Sequence, residues 1–197
     1  ISASNTSTLS CVTTTAALTG TGGGSYAWSG PGITAGATTS SPTVNLPGTY
    51  ILTVTAANGC TATANTSITQ NATLPVVTSS STGSLNCTTL SANAIASTTT
   101  TPVSYNWSGS GITAGAGTAT ITVNQPGTYN YTVTNTSNGC IATGSQNISQ
   151  NITAPSVSGA NTGTLNCSTL NINASATTST TPVSYNWSGS GIASGSG

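Results

Sequence analysis

The same nine residues, SYNWSGSGI, occur at positions 104–112 and 184–192 of this chain, and a close variant, SYAWSGPGI, occupies positions 25–33. Other landmarks share the spacing, since Cys87 and Cys167 are also 80 residues apart. A period of 80 is too long for one turn of a solenoid, but it suits a small domain that folds by itself. The repetition therefore predicts several copies of one small domain.

The boundaries of the copies are marked by two related stretches, ITQNATLP at 68–75 and ISQNITAP at 148–155. We accordingly predict domains at 1–74, 75–154 and 155–197. The third copy stops near its middle.

Within each copy, apolar side chains alternate with polar ones. Val103, Tyr105 and Trp107 share one phase, while Ser104 and Asn106 share the other. This period of two is typical of strands with one buried and one solvated face. Asn-Gly and Pro-Gly pairs separate the strands, and six or seven short strands per 80 residues predict a β-sandwich.

The aromatic residues that follow this phase are predicted to form the core of each sandwich. They are Tyr26, Trp28, Tyr50, Tyr105, Trp107, Tyr129, Tyr185 and Trp187. The alternative is that the tryptophans form a carbohydrate-binding surface, because exposed aromatic faces stack on sugars. That alternative requires the rings to be exposed.

The composition excludes several classes of function. The chain contains no Lys, Arg, Asp, Glu or His, although typical proteins are about 25% charged. General acid–base catalysis and activated serine nucleophiles need such groups, so we expect no enzyme activity. We also expect no catalytic residues, cofactor or metal site, and no nucleic-acid binding, which depends on Lys and Arg. No apolar run approaches the length of a membrane span.

A combination of short motifs carries a resemblance to a known class of repeat. Cys87 is followed by YNW at 105–107, PGTY at 126–129 and NGC at 138–140, and the first copy has the same order. This combination resembles the immunoglobulin-like, PKD-like repeats of very large bacterial surface adhesins, which are associated with gliding motility and type IX secretion. The resemblance implies an all-β chain of tandem immunoglobulin-like sandwiches. It also implies a secreted, extracellular or cell-surface location.

The five cysteines predict disulfides, with one cysteine left over. The simplest pairs join Cys11 to Cys60 and Cys87 to Cys140, one in each repeat, and leave the partner of Cys167 outside this sequence. An immunoglobulin-like strand order would place the two cysteines of a repeat at opposite ends of the sandwich, beyond the reach of a disulfide. In that case Cys11 would bond Cys140 of the next repeat, and both possibilities remain open at this point.

The function that these features favour is structural. We expect a stalk or filament of a repetitive adhesin, which provides reach, mechanical strength and adhesion. Its expected partners are adjacent repeats, laterally associated copies, since zero net charge removes repulsion, and external surfaces or glycans. The alternative function is a repeat module that binds carbohydrate or another surface polymer.

Overall fold

The computed structural model describes residues 1–195 and is all-β, with no helix among those residues. Contacts divide the chain into two units, Ile1–Gln150 and Asn151–Gly197. The first unit contains two sandwiches with separate cores. Within residues 1–195, no helix has the length and apolarity that a crossing of the bilayer requires.

Repeat 1 and repeat 2 each contain nine strands in the same order. Those of repeat 1 are β1 (Ser2–Asn5), β2 (Leu9–Ser10), β3 (Ala16–Thr21), β4 (Ser25–Ser29), β5 (Ile33–Ala35), β6 (Thr43–Val44), β7 (Gly48–Thr55), β8 (Thr61–Ile68) and β9 (Gln70–Asn71). Those of repeat 2 are β10 (Val77–Ser81), β11 (Leu85–Asn86), β12 (Ala92–Thr98), β13 (Val103–Ser108), β14 (Ile112–Ala114), β15 (Thr120–Val123), β16 (Gly127–Asn135), β17 (Ile141–Ile148) and β18 (Gln150–Asn151).

The strand order within each repeat is that of an immunoglobulin-like sandwich. In repeat 1, one sheet runs β1-β3-β6-β5 and the other runs β4-β7-β8. In repeat 2, the corresponding sheets run β10-β12-β15-β14 and β13-β16-β17. The short pairs β2-β9 and β11-β18 form separate two-stranded sheets. When the other seven strands of each repeat are lettered in chain order, the two main sheets are the ABED and CFG sheets of the constant-type immunoglobulin fold. The predicted fold class is confirmed.

Each sandwich closes over its own apolar core. Leu18 and Val44 come from the four-stranded sheet of repeat 1, and Trp28, Tyr50 and Leu52 face them from the three-stranded sheet. The core of repeat 2 has the same plan, and Trp107 meets Tyr131 there edge to face, with ring centroids 5.1 Å apart. The two cores are separate because alternation buries one face of each strand within its own repeat.

A tyrosine fixes the corner that leads into the long central strand of each repeat. The hydroxyl of Tyr50 in β7 donates to the carbonyl of Leu46, and the hydroxyl of Tyr129 in β16 donates to the carbonyl of Gln125 at 2.6 Å. This is the tyrosine-corner arrangement of immunoglobulin-like sandwiches. Burial raises the pKa of both hydroxyls, because the phenolate loses its hydration in the core.

The second unit contains two short strands in its described part. These are β19 (Ser158–Asn161) and β20 (Ala174–Thr177), which pair antiparallel. Leu165, Leu170, Ile172 and Trp187 line an open hollow of about 540 Å³ in this unit. In repeat 2, the equivalents Leu85, Ala92 and Trp107 are buried in a core to which β15 and β16 contribute, whereas Leu90 is exposed. No counterparts of β15 and β16 lie within the described part of this unit.

Candidate interaction site at the junction of two repeats

A disulfide joins the first two repeats. Cys11 is bonded to Cys140, with 5.0 Å between the Cα atoms, and the two residues lie 129 positions apart in the sequence. The predicted pairs Cys11–Cys60 and Cys87–Cys140 are therefore wrong, and the alternative pairing between repeats is the one that forms. Cys60, Cys87 and Cys167 are free and exposed.

The physical reason for this pairing is the length of one strand. Cys11 follows β2, whose last residue is in register with Asn71 of β9, just after β8 ends. Cys60 lies immediately before β8 begins. The eight residues of β8 extend over about 27 Å, whereas a disulfide needs Cα atoms within about 7 Å. The two cysteines of a repeat are thus at opposite ends of their sandwich.

We call Cys11, Val12, Asn71 and Thr73 the junction tail of repeat 1, and Asn138, Gly139 and Cys140 the junction head of repeat 2. The tail consists of residues from the turn after β2 and from the end of β9 and the segment after it. The head is the hairpin turn between β16 and β17. Tail and head meet across the boundary between the two sandwiches.

Asn138 makes the polar contacts of the junction. Its side-chain amide donates to Oδ1 of Asn71 at 3.0 Å and to the carbonyl of Thr73 at 2.9 Å. Its own Oδ1 accepts the backbone N–H of Cys140 at 2.9 Å, which shapes the turn. Only 2% of Asn138 is exposed, so every hydrogen bond of this side chain is made in a dry environment, where losing one is expensive.

Gly139 allows the close approach of the two repeats. It adopts φ = +71°, a left-handed conformation that favours glycine, and a Cβ placed there would collide with the side chain of Val12. A side chain at this position would therefore both strain the turn and push the tail away.

Repeat 1 carries the same three head residues without a partner. Asn58, Gly59 and Cys60 are exposed, whereas Cys140 is fully buried. The local turn is retained, since the backbone N–H of Cys60 donates to Oδ1 of Asn58 at 3.1 Å. A Cβ at Gly59 would meet nothing within 4 Å. The head of repeat 1 thus has the geometry of the occupied head, but its outer face is open.

The tryptophans of the two complete repeats are in the cores. Trp28 is 6% exposed and Trp107 is 4% exposed. Each indole N–H donates to a backbone carbonyl, from Trp28 to Thr39 at 3.0 Å and from Trp107 to Thr118 at 2.9 Å. The aromatic surface that carbohydrate binding would require is therefore not available on these two rings.

The other predicted core residues differ in burial between the units. Tyr50 and Tyr129 are fully enclosed, and Tyr26 and Tyr105 are partly buried where they pack against the cores. In the second unit, Tyr185 is exposed and Trp187 is partly buried. Neither lies in a strand there, although their equivalents in repeat 2 belong to β13. Up to residue 195, this unit contains no counterpart of β16, the strand with which β13 pairs.

The contribution of Asn138 was not predicted from the sequence. The NGC triplet was recognised as a hairpin signal, and it does connect antiparallel strands in both repeats. Its second use, as a surface that contacts the preceding repeat, leaves only one trace in the sequence. The trace is that both Asn and Cys recur beside the glycine in each repeat. A hairpin turn does not by itself require a cysteine, so its recurrence indicates a second role.

Among residues 1–195, no three His, Cys, Asp or Glu side chains are grouped as a metal ion would require.

No protein-family model matches this sequence, and no curated protein matches it either. Solved structures with a similar arrangement include murine CEACAM1b, with 10% identity, a TM-score of 0.36, and coverage of 76% of this chain and 98% of that one. A fragment of intimin, solved with the intimin-binding domain of its translocated receptor, has 12% identity, a TM-score of 0.33, and coverage of 68% and 57%. The amphioxus IgVJ-C2 molecule has 12% identity, a TM-score of 0.31, and coverage of 76% and 99%. All three scores are low, so the fold is assigned here from strand order and cores alone.

Proposed function

We propose that this chain is a section of the stalk of a secreted, filamentous cell-surface adhesin, and that its work is to hold a shape under load rather than to catalyse. The observation that carries this proposal is the junction, in which one sandwich is bonded to the next by Cys11–Cys140. Disulfides persist in oxidising, extracellular environments, which supports a location outside the cell. The resemblance of the repeats to those of large bacterial adhesins points the same way.

The position of the disulfide has a mechanical consequence. A force applied to the two ends of the chain passes from Cys11 directly to Cys140, so the segment that the bond closes, with a sequence separation of 129, lies off the loaded path. If repeat 1 or repeat 2 unfolds, the chain cannot lengthen through that segment. A stalk that must keep its length benefits from this arrangement more than a soluble binding module does.

The absence of charge supports association between stalks. No Lys, Arg, Asp or Glu is present, so neither net repulsion nor charged edge residues oppose contact between sheet edges. The edge strands β4 and β5 of repeat 1 form the open side of the sandwich, whereas Asn5 closes the other side by donating from its side chain to the carbonyl of Ser67 at 2.9 Å. We propose lateral bundling through the open side, and light scattering against protein concentration measures it; a strictly monomeric chain would contradict it.

Single-molecule extension between handles at the two termini tests the stalk proposal. The segment off the loaded path, 129 positions long, has a fully extended length of about 440 Å. Reduction of the disulfide should therefore add about 440 Å to the contour length of the unfolded chain. Cys11→Ser should give the longer value with or without reductant, while Cys60→Ser is the matched control that leaves the difference intact. Equal contour lengths for the oxidised and reduced protein would contradict the proposal.

A further inference from the structure

The open head of repeat 1 is one half of a junction whose other half has been observed. Asn58, Gly59 and Cys60 stand 80 residues before Asn138, Gly139 and Cys140. The two triplets occupy the turns of corresponding hairpins in the two repeats. In each triplet, the asparagine Oδ1 accepts the backbone N–H of the cysteine. They differ in that the second triplet is covered by a junction tail and the first is not.

The surroundings of Cys60 also fit a docked neighbour. A shallow hollow of about 250 Å³ lies beside it, and its lining includes Ile1, Val54, Ala56 and Ala62. These apolar groups lie at the end of the sandwich, next to the exposed thiol of Cys60. The side-chain amide of Asn58 is also there, and it donates to no acceptor among the described residues. At the occupied head, the corresponding amide has two acceptors and the corresponding cysteine is fully buried.

We propose that Asn58, Gly59 and Cys60 form a docking site for the junction tail of another repeat of this kind, joined in tandem before residue 1, and that Cys60 is sealed to that repeat by a disulfide. The inference rests on the proposed stalk function and names the partner of its free pole. The recognised tail consists of a cysteine at the position of Cys11 and an Asn-x-Thr segment at the position of Asn71–Thr73. Repeat 2 carries both elements, as Cys87 and as Asn151 and Thr153.

The sealing step needs an oxidant, and a low-molecular-weight disulfide such as glutathione disulfide supplies it. The thiolate of Cys60 attacks this disulfide, forming a mixed disulfide and releasing one glutathione thiolate. The thiolate of the tail cysteine then attacks Sγ of Cys60, so that the protein disulfide forms and the second glutathione thiolate leaves. Two protein thiols are oxidised, one glutathione disulfide is reduced, and the two glutathione thiolates take up the two protons.

Repetition of this bond would produce overlapping staples along a tandem array. Cys87 lies inside the segment that Cys11–Cys140 closes. A bond from Cys87 to the head of the following repeat would therefore close a segment that overlaps the first one. The shortest covalent route would run from Cys140 to Cys167, which are 27 residues apart, and from there across the next bond. An array sealed in this way could lengthen only through these short stretches.

A four-repeat chain tests the docking site. Ile1 and Val77 each precede the first cysteine of their repeat by ten residues, so a copy of residues 77–156 placed before Ile1 continues the repeat in register. After oxidation with glutathione disulfide, free thiols are alkylated and disulfides are mapped. We expect Cys60 to be alkylated or to carry glutathione in the 197-residue chain, and to be bonded to the copy of Cys87 in the extended chain.

Two variants of the extended chain serve as controls. Cys60→Ser should leave the copy of Cys87 alkylated or bonded to glutathione, without a partner in the protein. Asn58→Asp keeps an oxygen for the N–H of Cys60 but removes the amide donor, so it should slow the sealing of Cys60 and leave the rate of Cys11–Cys140 formation unchanged.

The outcomes separate this inference from the stalk proposal. Cys60 that is alkylated or still bonded to glutathione, in extended molecules that have formed Cys11–Cys140, would overturn the docking site, because those molecules contain the observed junction. A bond from Cys60 to a second molecule would overturn the tandem partner. Neither result alters the difference in contour length on which the stalk proposal depends.

Discussion

Asn138 of repeat 2 donates both hydrogens of its side-chain amide to repeat 1, one to Oδ1 of Asn71 and the other to the carbonyl of Thr73. The identical residue of repeat 1, Asn58, is exposed and makes only the turn contact within its own hairpin. The same three residues thus form a simple turn in one repeat and an interface in the other. This contrast provides a matched control for each test of the junction.

Replacing Asn138 with aspartate should weaken the junction. In Asn138→Asp, one Oδ can still accept the N–H of Cys140, but the other faces two oxygens. We expect a loss of about 1–3 kcal/mol in the free energy of unfolding of repeat 2 at neutral pH. The loss should shrink below about pH 4, where a protonated carboxyl can donate again. Urea denaturation at pH 7 and pH 3 measures it.

Asn58→Asp is the control for this prediction. The side chain is exposed, so its replacement should change the stability of repeat 1 by no more than about 0.5 kcal/mol. Equal losses for the two variants would show that Asn138 acts only through its own turn.

Alanine at Gly139 should obstruct the junction more than alanine at Gly59. Both glycines have positive φ, so each substitution strains the turn by about 1–2 kcal/mol. Only Gly139→Ala also places a methyl group against Val12, and overpacking of this kind costs a further 1–3 kcal/mol, roughly. We expect slower formation of Cys11–Cys140 from the reduced chain in Gly139→Ala, followed by quenched alkylation. Gly59→Ala should oxidise at the rate of the parent.

Loss of the tyrosine-corner hydroxyl should destabilise each sandwich. Tyr129→Phe removes a hydroxyl whose one hydrogen is shared between the carbonyls of Gln125 and Ser110, both at 2.6 Å, and we expect a loss of about 1–2 kcal/mol. Tyr50→Phe removes a single bond, to the carbonyl of Leu46, and should lose about 1 kcal/mol. Thermal unfolding measures both, and an unchanged melting temperature in Tyr129→Phe would contradict the assigned corner.

The stability of the chain should be insensitive to pH from the acidic range up to the ionisation of tyrosine. No carboxylate or imidazole side chain is present to titrate. Burial raises the pKa of Tyr50 and Tyr129 in the folded state, so the unfolded chain releases their protons first. Stability is therefore complete below the unfolded tyrosine pKa of about 10, and it is lost as the pH rises through the folded pKa.

Melting temperatures measured from about pH 3 to about pH 11 test this dependence of stability on pH. The free cysteines should first be replaced by serine at positions 60, 87 and 167, so that disulfide exchange does not intervene. Tyr50→Phe with Tyr129→Phe should flatten the alkaline decline. A decline near neutral pH would contradict the assignment.

Local patterns predicted most of the fold. The period of two placed Trp107 and Tyr129 on inward faces, because strand geometry alone determines which side a residue faces. The third copy was the exception, since Trp187 and Tyr185 follow the same pattern but do not form a strand. A strand needs a partner for its hydrogen bonds, and the sequence pattern of one strand does not reveal whether that partner is present.

The pairing of the cysteines could not be settled in the same way. The simplest pairing, with one disulfide in each repeat, favoured Cys11–Cys60. The outcome depends instead on which pole of the sandwich each cysteine occupies, and therefore on the register of β2 with β9 and on the length of β8. The expected strand order indicated the alternative, a bond from Cys11 to Cys140. Only the relative position of the two repeats determines which of the two pairings forms.

The central claim is that consecutive sandwiches are bonded end to end, and disulfide mapping of the unreduced chain tests it most directly. The chain has no Lys or Arg for trypsin, so pepsin at acidic pH is the suitable protease, and exchange is slow there because thiols are protonated. After alkylation of the free thiols, we predict one linked peptide pair that contains Cys11 and Cys140, with alkyl groups on Cys60, Cys87 and Cys167. A linked pair that contains Cys11 with Cys60, or Cys87 with Cys140, would contradict the account.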